Sequence, residues 1–197
     1  IGNSSGTTAL AMMFFPTVPE ENNIYTNGEN YIKFSGDING DICLENHIEI
    51  NSKGVKQKSE GAYNQHLAKS IGGILFDKNN FNNLPGYSKV EVCDIYKDKC
   101  FYHIKRGFKS ATLSHLFNQA IVSLELFKME KPFLKKINEI TNLNLSSNDN
   151  ITIILGIIGN RDIKESIPFF SKITLYNIYK SIKSMNANLI ILQILED

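Results

Sequence analysis

The amino-acid sequence predicts an α/β fold in which a mixed sheet carries helices on both faces. Two continuous apolar runs near the C-terminus, "ITIILGIIG" and "NLIILQIL", are typical of strands buried inside a sheet. Between other strand candidates, apolar residues recur at helical spacing over long segments. From residue 59 onward the predicted order is helix, three strands, helices, strand, helix and strand.

The first 58 residues are predicted to form an irregular or β-rich extension, because Gly, Ser, Thr, Asn and Pro are frequent there. The chain begins at Ile1 rather than at methionine, so we expect the extension to continue an upstream region of a longer protein. Its predicted segments are, in order, an irregular segment, two strands and a polar loop: 1–30, 31–35, 41–50 and 51–61.

The second predicted domain, residues 59–197, begins with a short helix that Ser59 caps and that ends before Gly72. The strand candidates "GILFD", "KVEVCDIY" and "CFYHIKR" follow, and "KDK" forms a tight turn between the last two. A long helix is predicted from Thr112 to Met129 on the spacing of its apolar residues. The remaining predictions are a helix from Pro132, a strand, a helix and a last strand: 132–142, 151–159, 171–185 and 188–195.

The composition excludes several classes of protein. Of 197 residues, 42% are hydrophobic and 21% charged, which suits a packed globular domain. A net charge of +1 excludes a histone-like nucleic-acid binder but leaves room for a local basic patch. Three cysteines without CxxC spacing argue against a disulfide framework or structural zinc, and favour a cytoplasmic location. The N-terminal apolar run "ALAMMFFP" is too short to span a bilayer, so no membrane partner is predicted.

An acid, a histidine and a lysine fall on two neighbouring predicted strands. Because side chains alternate along a strand, His103 and Lys105 share one face, and a hairpin turn at 97–99 brings Asp94 beside them. Asp94 and Lys105 can simply form a cross-strand ion pair, worth about 0.2–1 kcal/mol. They can also belong to a catalytic group, and both interpretations stay open at this point.

An aspartate opposite a strand triplet that ends in lysine resembles the layout of metal-dependent nucleases with the restriction-endonuclease fold. The predicted order of elements also resembles their α-β-β-β-α-β core. The resemblance implies that Asp94 and His103 hold Mg or Mn, and that Lys105 activates water and stabilises the developing charge. His103 replaces the usual Glu or Gln of that pattern, and imidazole suits Mn better than Mg, which prefers oxygen ligands. The implied catalytic residues are therefore Asp94, His103 and Lys105.

A basic, hydroxyl-rich turn follows the strand of Lys105 and opens the long helix. A helix N-terminus offers free N–H groups and partial positive charge, so it binds phosphate well, and Gly107 lets a backbone approach closely. Ser110 or Thr112 can alternatively be plain N-caps. The residues predicted to bind nucleic acid are Arg106, Lys109, Ser110, Ser114, His115 and Gln119.

Two polar residues of the short helix are further candidates for the same site. Glu60 and Asn64 are four residues apart, so they share one face of that helix. They could approach the strand of Lys105, but the sequence favours a solvated face for both.

Two stretches resemble a sporadically distributed bacterial family of uncharacterised proteins: "YNQHLAKSIGGILFDK" through "SATLSHLFNQAIVSLEL", and "IPFFSKITLYNIYKSIKSM". The block "HIKR…SATLSHLFNQ" is the most specific part. The resemblance implies a role in bacterial defence or in mobile elements, and it offers no established mechanism. The predicted function is a divalent-metal-dependent nuclease or nuclease-like domain that acts on DNA rather than RNA. The alternative is a non-catalytic nucleic-acid-binding or protein-interaction module of a defence system, and a homo-oligomer or a defence-complex partner protein stays open.

Overall fold

The computed structural model describes residues 60–76 and 90–195, together with three short strands nearer the N-terminus. The strands are β1 (Tyr25–Thr26), β2 (Ile48–Ile50), β3 (Lys56–Lys58), β4 (Ile74–Leu75), β5 (Ile95–Lys97), β6 (Cys100–Arg106), β7 (Ile151–Ile158) and β8 (Ala187–Ile194). The helices are α1 (Glu60–Ile71), α2 (Ser110–Met129), α3 (Lys131–Thr141), α4 (Ile163–Ser166) and α5 (Phe169–Ser184).

Six of these strands form one mixed sheet in the order β1-β8-β7-β6-β5-β4. The neighbours β6, β7 and β8 are parallel, β1 joins β8 in parallel, and β5 and β4 extend the other side antiparallel. Strands β2 and β3 pair separately with each other. The predicted α/β class with a mixed sheet is confirmed, and so is the order of elements from α1 to β8.

The two faces of the sheet carry separate apolar cores. On one face α1 packs Tyr63 and Leu67 with residues of β6 that include Ile104. On the other face α2, α3 and α5 cover Phe101 and the alternate residues of β7. Helices therefore lie on both faces, as predicted, and α1 contacts β4, β5 and β6.

Strand β5 is shorter than predicted, and this difference shapes the candidate site. It pairs with β6 only over 95–97, and Asp98 and Lys99 both have positive φ, as a two-residue type I′ hairpin turn requires. Before Ile95, the Asp94 carboxylate accepts the hydrogen bond of the Ile104 N–H at 2.6 Å. A side chain thus takes the place of a backbone partner, and the last residues of β6 have no β5 residue beside them.

Helix α2 begins at Ser110, two residues before the predicted Thr112, and ends at Met129 as predicted. Its N-cap is Lys109, whose extended backbone makes no side-chain capping bond. The interpretation of Ser110 or Thr112 as an N-cap is therefore wrong.

Other boundaries differ by one or two residues, and α4 was not predicted. Asp162 caps α4 by accepting from the N–H groups of Lys164 and Glu165. Strand β1 falls in the predicted irregular segment, and β3 falls in the predicted loop 51–61. The predicted strand 31–35, the start of the strand 41–50 and the cap Ser59 lie outside the described residues. None of the helices in the described part of the chain is long and apolar enough to cross a membrane.

Candidate functional site

The candidate site lies at the C-terminal end of β6, between α1 and α2. Asp94 is held rigidly there, because its backbone N–H donates to the Tyr102 carbonyl and its carbonyl accepts from the Phe76 N–H, each at 2.8 Å. Its side chain is 6% exposed and binds the Ile104 N–H. A carboxylate has about four lone-pair positions, so it can accept more than one hydrogen bond or bind a cation.

Lys105 binds a glutamate of α1. Its Nζ donates to Glu60 Oε1 at 2.5 Å, while Glu60 Oε2 accepts the Arg106 backbone N–H at 3.1 Å. Both charged side chains are partly buried, with 23% of Lys105 and 28% of Glu60 exposed. The interpretation of Glu60 as part of a solvated face is therefore wrong: Glu60 ties the first turn of α1 to the end of β6.

Carboxylates outnumber ammonium groups around Lys105. Burial alone would lower the pKa of Lys105, but the hydrogen bond and charge of Glu60, with the charges of Asp94 and Glu91, raise it above its ordinary value. Glu91 in turn accepts a hydrogen bond from Gln119 Nε2 of α2 at 2.9 Å. The raised pKa keeps Lys105 protonated, and the described groups that raise it are all carboxylates, whose charge a bound cation would help to balance.

His103 belongs to the core rather than to this cluster. Its side chain is 2% exposed, and its Nε2 lies 3.2 Å from Ser123 Oγ of α2. Burial, with the nearby charge of Lys105, lowers the pKa of His103 to about 3, so the imidazole is neutral near pH 7. The Nε2 of His103 faces Ser123 of α2, and this geometry gives no support to His103 as a metal ligand.

The basic turn between β6 and α2 is largely open to solvent. Arg106, Lys109 and Ser110 are exposed, and Gly107 has a φ of 96° while its N–H donates to the Ile158 carbonyl at 2.9 Å. Because the first turn of α2 has no side-chain cap, its N–H groups are available to an anion beside this turn.

The remaining predicted nucleic-acid ligands lie further along α2. Ser114 is half-buried in the second turn. His115 and Gln119 line a surface cavity of about 300 Å³ whose wall also includes Glu91. Gln119 is thus joined to the charged cluster through Glu91, whereas His115 lies on the exposed side of the same face.

The oxygen donors of this cluster are of the type that hard divalent cations accept. Asp94 and Glu60 supply carboxylate oxygens, which Mg²⁺ and Mn²⁺ accept, and Mg²⁺ commonly binds one or two carboxylates with water and substrate phosphate completing its shell. Within residues 60–76 and 90–195, no group of three or more His, Cys, Asp or Glu side chains is arranged to hold a metal ion. Water and a phosphate group would therefore complete the coordination.

The sequence did not predict that two acids, Glu60 and Glu91, belong to the cluster. Glu60 lies 45 positions before Lys105, and nothing in the local pattern indicates that α1 crosses the end of β6. Glu91 precedes Asp94 by three residues in a segment predicted to be a strand, where an alternating acid is ordinary. The one available signal was the shared helix face of Glu60 and Asn64.

Comparisons with known proteins identify a family whose function is unknown. Residues 20–194 match a family of unknown function, DUF6119. No curated protein matches, and no solved structure matches. The match covers most of the chain, so the chain belongs to this family.

Proposed function

We propose that this member of a family of unknown function is a divalent-metal-dependent nuclease-like domain that binds nucleic acid at the C-terminal end of β6. The observation that carries the proposal is the junction of Glu60, Asp94 and Lys105. Three different elements bring two carboxylates and one ammonium together there, beside an exposed basic turn. A purely structural ion pair needs neither the second acid nor the basic turn.

Each residue of the cluster has a distinct role in the proposal. Asp94 and Glu60 would hold Mg²⁺ or Mn²⁺, which when bound supplies Lewis-acid activation of a phosphodiester and of a water nucleophile. Lys105 remains protonated because of its acidic neighbours, so it can donate to the oxygens on which negative charge develops. Ground-state substrate and transition state differ in that charge, and only an interaction that strengthens with it accelerates the reaction.

The exposed turn supports the binding part of the proposal. Arg106 and Lys109 offer positive charge next to the uncapped first turn of α2, and phosphate contacts of this kind position a strand without selecting its sequence. The resemblance to an uncharacterised bacterial family, which implies a role in defence, directs the proposal to foreign DNA as the substrate.

A second candidate function is a binding module that uses the same turn without cleavage. The ion pair of Lys105 with Glu60 favours it, because a lysine that is paired with a carboxylate can serve stability alone. In that case nucleic acid binds with the salt dependence of phosphate contacts, and no metal alters the substrate.

The test is an assay of cleavage by the purified chain on plasmid and on single-stranded DNA, with Mg²⁺, with Mn²⁺ and with EDTA in separate reactions. The nuclease proposal expects products with at least one metal and none with EDTA. Binding without cleavage under all three conditions would move the binding module to first place.

A further inference from the structure

Asn64 is a buried carboxamide for which the described part of the chain supplies no hydrogen bond. Asn64 is 1% exposed, and neither its Oδ1 nor its Nδ2 has a hydrogen-bond partner among the described residues. Buried amides are nearly always hydrogen-bonded, because an unpaired one costs about 1–3 kcal/mol. Leucine has a similar shape and would remove that cost, so Asn64 carries a chemical demand that the fold leaves unmet.

The position of Asn64 associates that demand with the charged cluster. It follows Glu60 by four residues in α1, so the two side chains are neighbours on one helix face. That helix packs against β4, β5 and β6, and Glu60 marks the contact of this face with the end of β6. Asp94 and Asn64 are buried, at 6% and 1% exposure, whereas 28% of the Glu60 side chain is exposed.

Depth and charge together select the kind of ligand. A phosphate group is too large to reach a carboxamide that is 1% exposed, so the ligand of Asn64 must be smaller, such as a single ion. The excess of carboxylates over ammonium favours a cation. Amide carbonyl oxygens are hard ligands that divalent cations accept alongside carboxylates.

We propose that Asn64 Oδ1 is a further oxygen ligand of a divalent cation that Glu60 and Asp94 also bind. The proposal rests on the proposed function, since it assumes the same metal. It explains why α1 carries an amide where an apolar residue would pack with less cost. It also adds the third protein ligand that acidic, histidine and cysteine side chains in the described residues do not provide.

The inference predicts opposite effects of one substitution on stability and on metal binding. Asn64→Leu removes an unpaired buried amide, so the variant should melt at a higher temperature than the wild type in EDTA. It should also bind Mn²⁺ about tenfold or more weakly, a loss of the size seen when a metal site loses a supporting group. A merely structural asparagine changes the first quantity and not the second.

The experiment is thermal unfolding of the full chain during titration with MnCl₂, and in parallel with MgCl₂. Binding to the folded state alone raises Tm with metal concentration, so the titration gives an apparent affinity without any activity measurement. The variants are Asn64→Leu, Asn64→Asp, which restores an oxygen ligand, and Glu60→Gln. Asn177→Leu is the control, because it removes an exposed amide from α5 on the other face of the sheet.

We expect Mn²⁺ to raise the Tm of the wild type, of Asn64→Asp and of the control, and to act far more weakly on Asn64→Leu and Glu60→Gln. If Asn64→Leu responds like the wild type while Glu60→Gln does not, the Asn64 proposal is overturned and the metal centre stands. If the wild type shows no response to either metal, both the Asn64 proposal and the metal part of the proposed function are overturned.

Discussion

Glu60 is the residue on which the proposed nuclease centre depends most directly. It holds Lys105 through one carboxylate oxygen and the Arg106 N–H through the other, and it is the main reason that the pKa of Lys105 is raised despite burial. Glutamine has nearly the same shape but only one acceptor oxygen, so it removes the charge and one of the two hydrogen bonds. The substitution therefore tests the electrostatic role of Glu60 with little change in side-chain volume.

Glu60→Gln is predicted to lower metal-dependent cleavage by about 100-fold or more while leaving the fold intact. The reason is that the charge that binds the cation and orients Lys105 is lost, and electrostatic groups of this kind contribute that order of magnitude. The measurement is the initial cleavage rate at fixed Mn²⁺. Glu139→Gln on α3 is the matched control, since Glu139 is exposed and pairs only with a neighbour on its own helix. Equal rates for Glu60→Gln and the wild type would remove Glu60 from the reaction.

His103 gives a prediction about stability and pH. Its pKa is about 3 in the folded chain, because of burial and then the charge of Lys105, against an ordinary value of 6.5. Between these values only the unfolded chain binds the proton. The contribution of neutral His103 is thus complete above pH 6.5 and is lost as the pH falls below it, by up to about 1.4 kcal/mol per pH unit.

His103→Gln should flatten this part of the pH dependence. The measurement is the free energy of unfolding in urea at pH 7.5, 6.0 and 5.0. Only the change across pH matters, so a constant loss of stability in the variant is no obstacle. His115→Gln is the control, because His115 is exposed on α2. An unchanged pH slope in His103→Gln would contradict the burial of a neutral imidazole.

Alternation along β6 sufficed to predict that Asp94 and Lys105 approach each other, but it could not predict their partners. Face alternation does place His103 and Phe101 on the α2 side. Lys105 starts on that side as well, yet its long side chain reaches Glu60 of α1, because β5 no longer flanks the end of β6. The contact depends on where a distant helix crosses, and local periodicity contains no information about that.

At the scale of elements, the turn between β6 and α2 is the part of the molecule suited to bind phosphate. Arg106→Ala and Lys109→Ala should each reduce the slope of log affinity against log salt by about 0.7–0.9, the value of one phosphate contact. Neither change should alter sequence preference, because phosphate contacts carry no base information. The measurement is DNA-binding affinity at salt concentrations from about 50 to 200 mM.

Lys131→Ala, an exposed lysine at the start of α3, is the control for that titration. It should leave the slope as it is in the wild type. If all three variants share the wild-type slope, nucleic acid binds elsewhere on the chain or does not bind. A protein-interaction module then becomes the favoured function.

Strand β7 supports the site from the opposite side of β6, and its packing is tight at Gly156. A Cβ at that position would lie 3.0 Å from both Ile104 Cγ1 and Ile194 Cδ1. Gly156→Val should therefore lower the free energy of unfolding by about 1–3 kcal/mol through overpacking. Adding Ile194→Val removes the contacting Cδ1 methyl and should recover part of the loss. Unfolding in urea measures both, and additive losses in the double variant would contradict the packing described here.

The types of the main elements were predictable, and their ends were less so. Apolar periodicity identified β7 and α2, since burial acts along their whole length. The predicted β5 was too long because an aspartate side chain occupies the position of a strand partner. The start of α2 was missed because Lys109, which has no capping side chain, ends the extended segment. Such ends depend on individual hydrogen bonds rather than on patterns.

At the scale of the whole molecule, helices form two unequal layers on the faces of the six-stranded sheet. Among the described residues, the layer of α2, α3 and α5 holds most of the apolar core, while α1 packs on the other face near β6. The site forms where both layers meet the end of β6, so its residues come from distant parts of the chain. The order of elements was predictable because each follows from local periodicity. The meeting of α1 with β6 was not, because it arises only in the folded chain.

We propose that the cluster around Lys105 is the reaction centre of a metal-dependent nuclease. The most direct measurement compares cleavage of plasmid DNA by the wild type, Lys105→Ala and Lys180→Ala, with Mg²⁺ and with Mn²⁺ separately. Lys180 is an exposed lysine of α5, so its replacement changes net charge equally and leaves the cluster untouched. We expect cleavage by the wild type and by Lys180→Ala, and a rate lower by about 100-fold or more for Lys105→Ala, which should still bind DNA. Equal cleavage by all three proteins, or none by the wild type with either metal, would contradict it.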